Sequence, residues 1–143
     1  MRNQGWEQTL DNYIQEITAR KFAWGTCDCL LFVSDACELV CSVDPMRRKL
    51  EGDPETIRDA YTSEEEAYAF IKQYRGTMPK IMDIHFQRVD PAFRQRGDIV
   101  LQKMGKRKAF GLIWSGGYAY FKTPKPGMSI HPVADNSIVW RTE

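Results

Sequence analysis

Trp6, Leu10, Tyr13, Ile14 and Ile17 recur at steps of three and four residues, with Glu7, Gln8, Asp11 and Glu16 between them. That spacing puts the apolar side chains on one helical face and predicts a first helix reaching Lys21-Phe22. Ala23-Trp24-Gly25-Thr26 has no period and carries a breaker. A second helix is predicted from Asp28 or Cys29, with Leu30, Val33, Cys37 and Val40 as its buried stripe, widened by Leu31 and Ala36. Asp28 suits its N-cap, because a carboxylate there accepts from the orphan N–H groups of the first turn. Asp44-Pro45 closes this stretch, residues 46–61 are charged and irregular, and Gly52-Asp53-Pro54 reads as a turn. Ser63 and Glu66 have capping-box spacing and open a third helix whose apolar face is Ala67, Phe70, Ile71 and Tyr74, stopped by Gly76.

After Pro79 the pattern turns to alternation and short apolar runs. Predicted strands are Lys80–Phe86, Asp98–Lys103, Ala109–Trp114, Tyr118–Phe121, Ser129–His131 and Ile138–Arg141, with Gly116-Gly117 as the turn between Ala109–Trp114 and Tyr118–Phe121. Helices first and antiparallel strands afterwards describe an α+β domain. The basic run Lys103-Met-Gly-Lys-Arg-Lys108 falls in a predicted hairpin loop and reads as a solvated one.

A length of 143 residues fits one domain, residues 1–143. Twenty Lys+Arg balance nineteen Asp+Glu, giving +1, so no overall field draws the chain to nucleic acid or an anionic membrane. The longest apolar run, Cys29 to Val33, is too short to span a bilayer, and Met1-Arg-Asn-Gln-Gly-Trp6 has no signal-peptide core. Cys27, Cys29, Cys37 and Cys41 lack the usual zinc-knuckle spacing and a secreted context, so reduced thiols and no metal or other cofactor are expected.

Phe22-Ala-Trp24-Gly25-Thr-Cys27-Asp28-Cys29-Leu-Leu-Phe32 carries the candidate chemistry. A cysteine in the first turn of a helix faces the positive end of the macrodipole, which favours a nucleophilic thiolate. The competing reading is a small residue packed in the core. Trp24 and Gly25 fit the helix entrance, Asp28 a cap, and Asp98 a turn-stabilising side chain after Gly97. Only His85 and His131 could offer an imidazole base.

Trp24-Gly25-x-x-Asp28-Cys29 before an apolar helix resembles the nucleophile segment of NlpC-type cell-wall peptidases, which are papain-like cysteine hydrolases. Arg96-Gly97-Asp98-Ile99-Val100 and Phe110-Gly111-Leu112-Ile113 resemble that family's Gly-Asp strand and its His-x-Gly strand. Ser42-Val43-Asp44-Pro45 and Trp140-Arg141 are similar to further motifs of a bacteriophage tail-associated branch. The resemblance covers residues 22–143, with 1–21 as an N-terminal helix. It implies a papain-like fold with helices packed on a C-terminal antiparallel sheet, and Cys29 as nucleophile with Trp24, Gly25 and Asp28 around it. It also implies a histidine where this chain has Ala109. The expectation is therefore a virion protein made in the bacterial cytoplasm, with a degraded hydrolase site and tail hub or tip proteins as partners. The alternative is an active peptidase cleaving peptidoglycan peptides, with His85 or His131 as the replacement base.

Overall fold

The computed structural model describes residues 1–46 and 61–143; Gly52-Asp53-Pro54, read as a turn, lies outside them. The amphipathic first segment forms α1 (Trp6–Ala19), which buries Leu10, Ile14 and Ile17. It stops two to three residues earlier than its pattern suggests. Arg20 is extended, and the buried Lys122 ammonium donates to the carbonyls of Ile17 (2.9 Å), Arg20 and Gly127 (3.3 Å). Ile17 O also accepts from the Arg20 N–H at 3.1 Å, so the ammonium adds a second donor there and ties the helix end to the Gly127 carbonyl.

The most apolar segment forms α2 (Cys29–Cys41), whose stripe of Leu30, Val33, Cys37 and Val40 is joined in the core by Leu31, Phe32 and Ala36. At its end the Cys41 thiol lies 3.4 Å from the Cys37 carbonyl as donor. The third helix, α3 (Glu64–Tyr74), starts at Ser63, whose hydroxyl accepts from the Glu66 N–H at 3.2 Å. Its Ala67 and Ile71 reach the core.

Lys80–Phe86 is not a strand. Met78–Asp83 is a fourth helix, α4, with its proline in the first turn, where the missing N–H costs no internal bond. It buries Ile81 and Met82, and the chain becomes extended only at β1 (Gln87–Val89). The remaining strands are β2 (Ile99–Met104), β3 (Arg107–Ile113), β4 (Ala119–Phe121), β5 (Ser129–His131) and β6 (Ile138–Arg141). Gly105 and Lys106 alone join β2 to β3, so most of the basic run lies on paired strand.

Among the described residues all pairings are antiparallel, in the six-stranded order β1-β6-β2-β3-β4-β5. The chain is thus α+β, with helices first and sheet afterwards, as its pattern predicts. Alternation gives the sheet two unlike faces. Ile99, Leu101, Phe110, Leu112 and Trp140 join the helices in the main core. Val100, Ile113, Ala119, Phe121 and Val139 form a smaller cluster on the opposite face, with Ala109 and Val133 against it. Among the described residues no helix is long and apolar enough to cross a membrane.

Candidate functional site

The loop before α2 is closed by two backbone bonds, Ala23 N–H to Cys27 O (2.9 Å) and Cys27 N–H to Ala23 O (2.8 Å). Gly25 makes that tightness possible with φ of 85°, a left-handed value that side chains disfavour. The rings of Phe22 and Trp24 meet edge to face at 4.8 Å beside it. The loop delivers Asp28, fully buried, to the N-cap of α2. Its carboxylate accepts from the Leu31 N–H (2.9 Å), the Gly25 N–H (2.8 Å) and the Tyr61 hydroxyl (2.8 Å). Asp28 is therefore a cap, and it also locks Tyr61 and the loop.

Cys29 opens α2 and is partly buried, as its sequence position predicts. Backbone N–H groups of Phe110, Leu30 and Cys29 itself face its sulfur and favour ionisation. Burial outweighs them. Together with the Asp28 charge it pushes the thiol up to about 12 from an ordinary 9.0. Position in the sequence favours a thiolate; the folded environment favours the neutral thiol.

The second group beside the thiol is Tyr68 of α3, which sequence reasoning missed. Its hydroxyl donates to the Lys108 carbonyl at 3.1 Å. Its ionisation is suppressed by burial first and by the nearby Cys29 next. The Arg107 guanidinium stacks over the ring at 4.4 Å and pairs with Glu64 at 2.6 Å. Tyr68 neighbours Ala67 in the sequence and adds no period of its own, so no sequence signal marked it.

The histidines and Ala109 lie elsewhere. Ala109 packs with the cluster on the far face of the sheet, opposite the buried Gln102. Gln102 bonds the Pro132 carbonyl (3.1 Å) and the Ala134 N–H (3.1 Å) of the segment crossing that face. His131 pairs with Ala119 and meets the Phe121 ring at 5.9 Å, both members of the same far-face cluster. His85 follows α4 beside Phe86, next to β1, with β6 and β2 between that strand and β3. No histidine is among the groups acting on Cys29.

The remaining motif residues build the frame. Asp98, fully buried, accepts from Gln95 N–H (2.7 Å), Arg2 (2.9 Å) and Arg141 (3.1 Å), so the Gly-Asp and Trp-Arg motifs meet in one ion cluster. Burial raises its pKa more than the arginines lower it. Gly97, at φ of 92°, lies so close to Trp6 that an added Cβ would approach its ring to 2.9 Å. Gly111 leaves room for Phe121, whose ring would lie 2.6 Å from a Cβ there. Among the described residues no cluster of His, Cys, Asp and Glu is arranged to hold a metal ion.

No curated protein and no solved structure matches the chain. A family model matches residues 1–142, nearly its whole length, so the site and its frame lie inside the matched region apart from Glu143. The chain belongs to the family described as Domain of unknown function (DUF6950).

Proposed function

We propose that this chain is an NlpC-like, papain-like domain whose hydrolase site has lost its base and whose role is structural, docking at the hub or tip of a bacteriophage tail within the virion. The observation that carries the loss of catalysis is the setting of Cys29. Its thiol is held neutral by burial and by Asp28, and no imidazole acts on it. A cysteine nucleophile needs a lowered pKa or an adjacent base, and this one has neither. Ala109, where the resemblance implies the base, faces away from α2, so the deficit is the absence of an imidazole beside Cys29 and not the alanine at this position. The tail assignment is supported by the order Trp24-Gly25-x-x-Asp28-Cys29, Ser42-Val43-Asp44-Pro45, Gly97-Asp98 and Trp140-Arg141, and by the α+β arrangement that accommodates it.

The test is release of peptide fragments from purified peptidoglycan by the wild type and by Cys29→Ala. Neither is expected to cleave, and the wild type is expected to co-purify with tail hub or tip proteins from infected cells. Cleavage by the wild type alone would overturn the reading in favour of the active peptidase.

A further inference from the structure

The β2–β3 hairpin ends in a tip that stands clear of the body. Gly105, in the two-residue turn, has φ of 66°, and an added Cβ there would meet no atom within 4 Å. Lys103, Lys106, Arg107 and Lys108 are all exposed on this tip. Residues 103–108 hold four of the chain's twenty Lys+Arg and none of its nineteen Asp+Glu, which leaves the other residues at sixteen against nineteen, a net −3. The hairpin is a concentrated positive point on an otherwise negative chain. Its register adds a cost, because Lys103 stands directly opposite Lys108. Opposed side chains share a face with Cβ atoms about 4.5–5.5 Å apart, and like charges so placed destabilise a ladder. Among the described residues Arg107 alone of the four is ion-paired, to Glu64 at 2.6 Å.

The base of the hairpin is tied to α3. Tyr68 donates to the Lys108 carbonyl at 3.1 Å, and Arg107 lies over the Tyr68 ring. The three remaining ammonium groups are therefore carried on a pre-organised tip. We infer that Lys103, Lys106 and Lys108 form a docking surface for an acidic segment of a partner protein, an exposed run of Asp or Glu. An extended segment repeats side chains on one side about every 7 Å, within reach of long lysine side chains. Its carboxylates would offset the Lys103–Lys108 repulsion, which no carboxylate among the described residues does. A single-stranded nucleic acid fits the tip less well. Such strands stack their bases on open aromatic faces, and the ring at this hairpin, Tyr68, is covered by Arg107. The net negative remainder of the chain also repels a long polyphosphate, whereas a short acidic segment needs only the tip. The surface is read from charge and register, so its test does not depend on the tail assignment.

The experiment measures binding of a fluorescent ten-residue glutamate peptide to the full chain by anisotropy at low salt. The wild type is expected to bind it, and to lose it in about 0.5 M sodium chloride, where exposed charges are screened. Lys103→Gln, Lys106→Gln and Lys108→Gln together are expected to weaken binding about tenfold, the factor set by three exposed ion pairs. Lys21→Gln, Lys80→Gln and Lys125→Gln together remove the same charge from other exposed positions and are expected to change it less than about twofold. A ten-residue thymidine strand is expected to bind more weakly than the peptide. A second measurement needs no ligand. Lys103→Glu replaces the like-charge pair with an opposite one and is expected to raise Tm by about 1–4 °C. No binding by the wild type, equal affinity in the hairpin variant, or an equal loss in both triple variants would overturn the proposal. Tighter binding of the thymidine strand would assign the tip to nucleic acid instead. A Tm no higher in Lys103→Glu would show that the opposed lysines cost the fold nothing, and the inference would fall with that cost.

Discussion

Asp28 is the residue whose replacement most sharply separates a cap from a catalytic acid. Three donors converge on its buried carboxylate. Asp28→Ala removes the N-cap, worth about 1 kcal/mol, and strands the Gly25 N–H and the Tyr61 hydroxyl. Each stranded buried donor adds about 1–3 kcal/mol, so the total is about 3–7 kcal/mol. For a domain of this length that is a fall in Tm of roughly 15 °C. Asp28→Asn is milder. Its amide oxygen can still cap Leu31, and the Tyr61 hydroxyl can turn to accept from the new NH2, but the Gly25 N–H faces another donor. The expected loss is about 1–3 kcal/mol.

The thiol responds separately. Removing the Asp28 charge lowers the Cys29 pKa from about 12, while burial, the larger cause, keeps it above 9.0. Urea unfolding followed by tryptophan fluorescence gives the stabilities, and thiolate absorbance against pH gives the titration. Losses under about 0.5 kcal/mol for both variants, the range of an ordinary surface substitution, would refute the capping argument. A Cys29 pKa unmoved in Asp28→Asn would refute the electrostatic one.

Gly111→Ala drives a methyl into the Phe121 ring and is expected to cost about 1–3 kcal/mol in urea unfolding, with partial rescue by adding Phe121→Leu. Lys122→Met removes the ammonium that bonds the Ile17, Arg20 and Gly127 carbonyls and is expected to cost about 2 kcal/mol by the same measurement. Asp98 binds its proton more tightly in the fold than in the unfolded chain, so its contribution is fully present below pH 3.8 and declines as pH rises through the raised folded value. Stability of the wild type relative to Asp98→Asn is therefore expected to improve between pH 6 and pH 4; a worsening over that range would reverse the sign of the argument.

What the sequence reveals follows the range of the forces involved. Asp28 and Ser63 were readable as caps because each bonds an amide three residues away. Ser129–His131 and Ile138–Arg141 are strands with the bounds their patterns suggest. The six-residue α4 is too short to show a period, and its adjacent Ile81 and Met82 imitate an apolar run. β1 buries no residue fully and leaves no pattern. The site was half legible. Asp28-Cys29 at a helix start is local, whereas the approach of Tyr68 and the choice of which β3 face meets α2 are settled by packing across the core.

That choice of face decides how a base could be returned to the site. Ala109 marks the place of a histidine in the resemblance, so Ala109→His is the first substitution to suggest itself. Phe110 and Leu112 lie in the main core with α2, and Ala109 packs on the other face. An imidazole at 109 would meet Val133 and Gln102, not the thiol. Ala109→His is therefore expected to leave the Cys29 titration near 12. Lys108 has the same parity as Phe110, and its carbonyl already carries the Tyr68 hydroxyl. Lys108→His places an imidazole on the side of the sheet that Cys29 occupies, but at the alkaline pH where a thiol near 12 ionises the ring is neutral and the lysine charge is gone. It is therefore expected to leave the Cys29 pKa, read from thiolate absorbance against pH, no lower than in the wild type, whereas Asp28→Asn, which removes a negative charge, is expected to lower it. Peptidoglycan cleavage by Ala109→His, absent from the wild type, would show that the strand presents its other face to α2 and that position 109 is the place of the missing base.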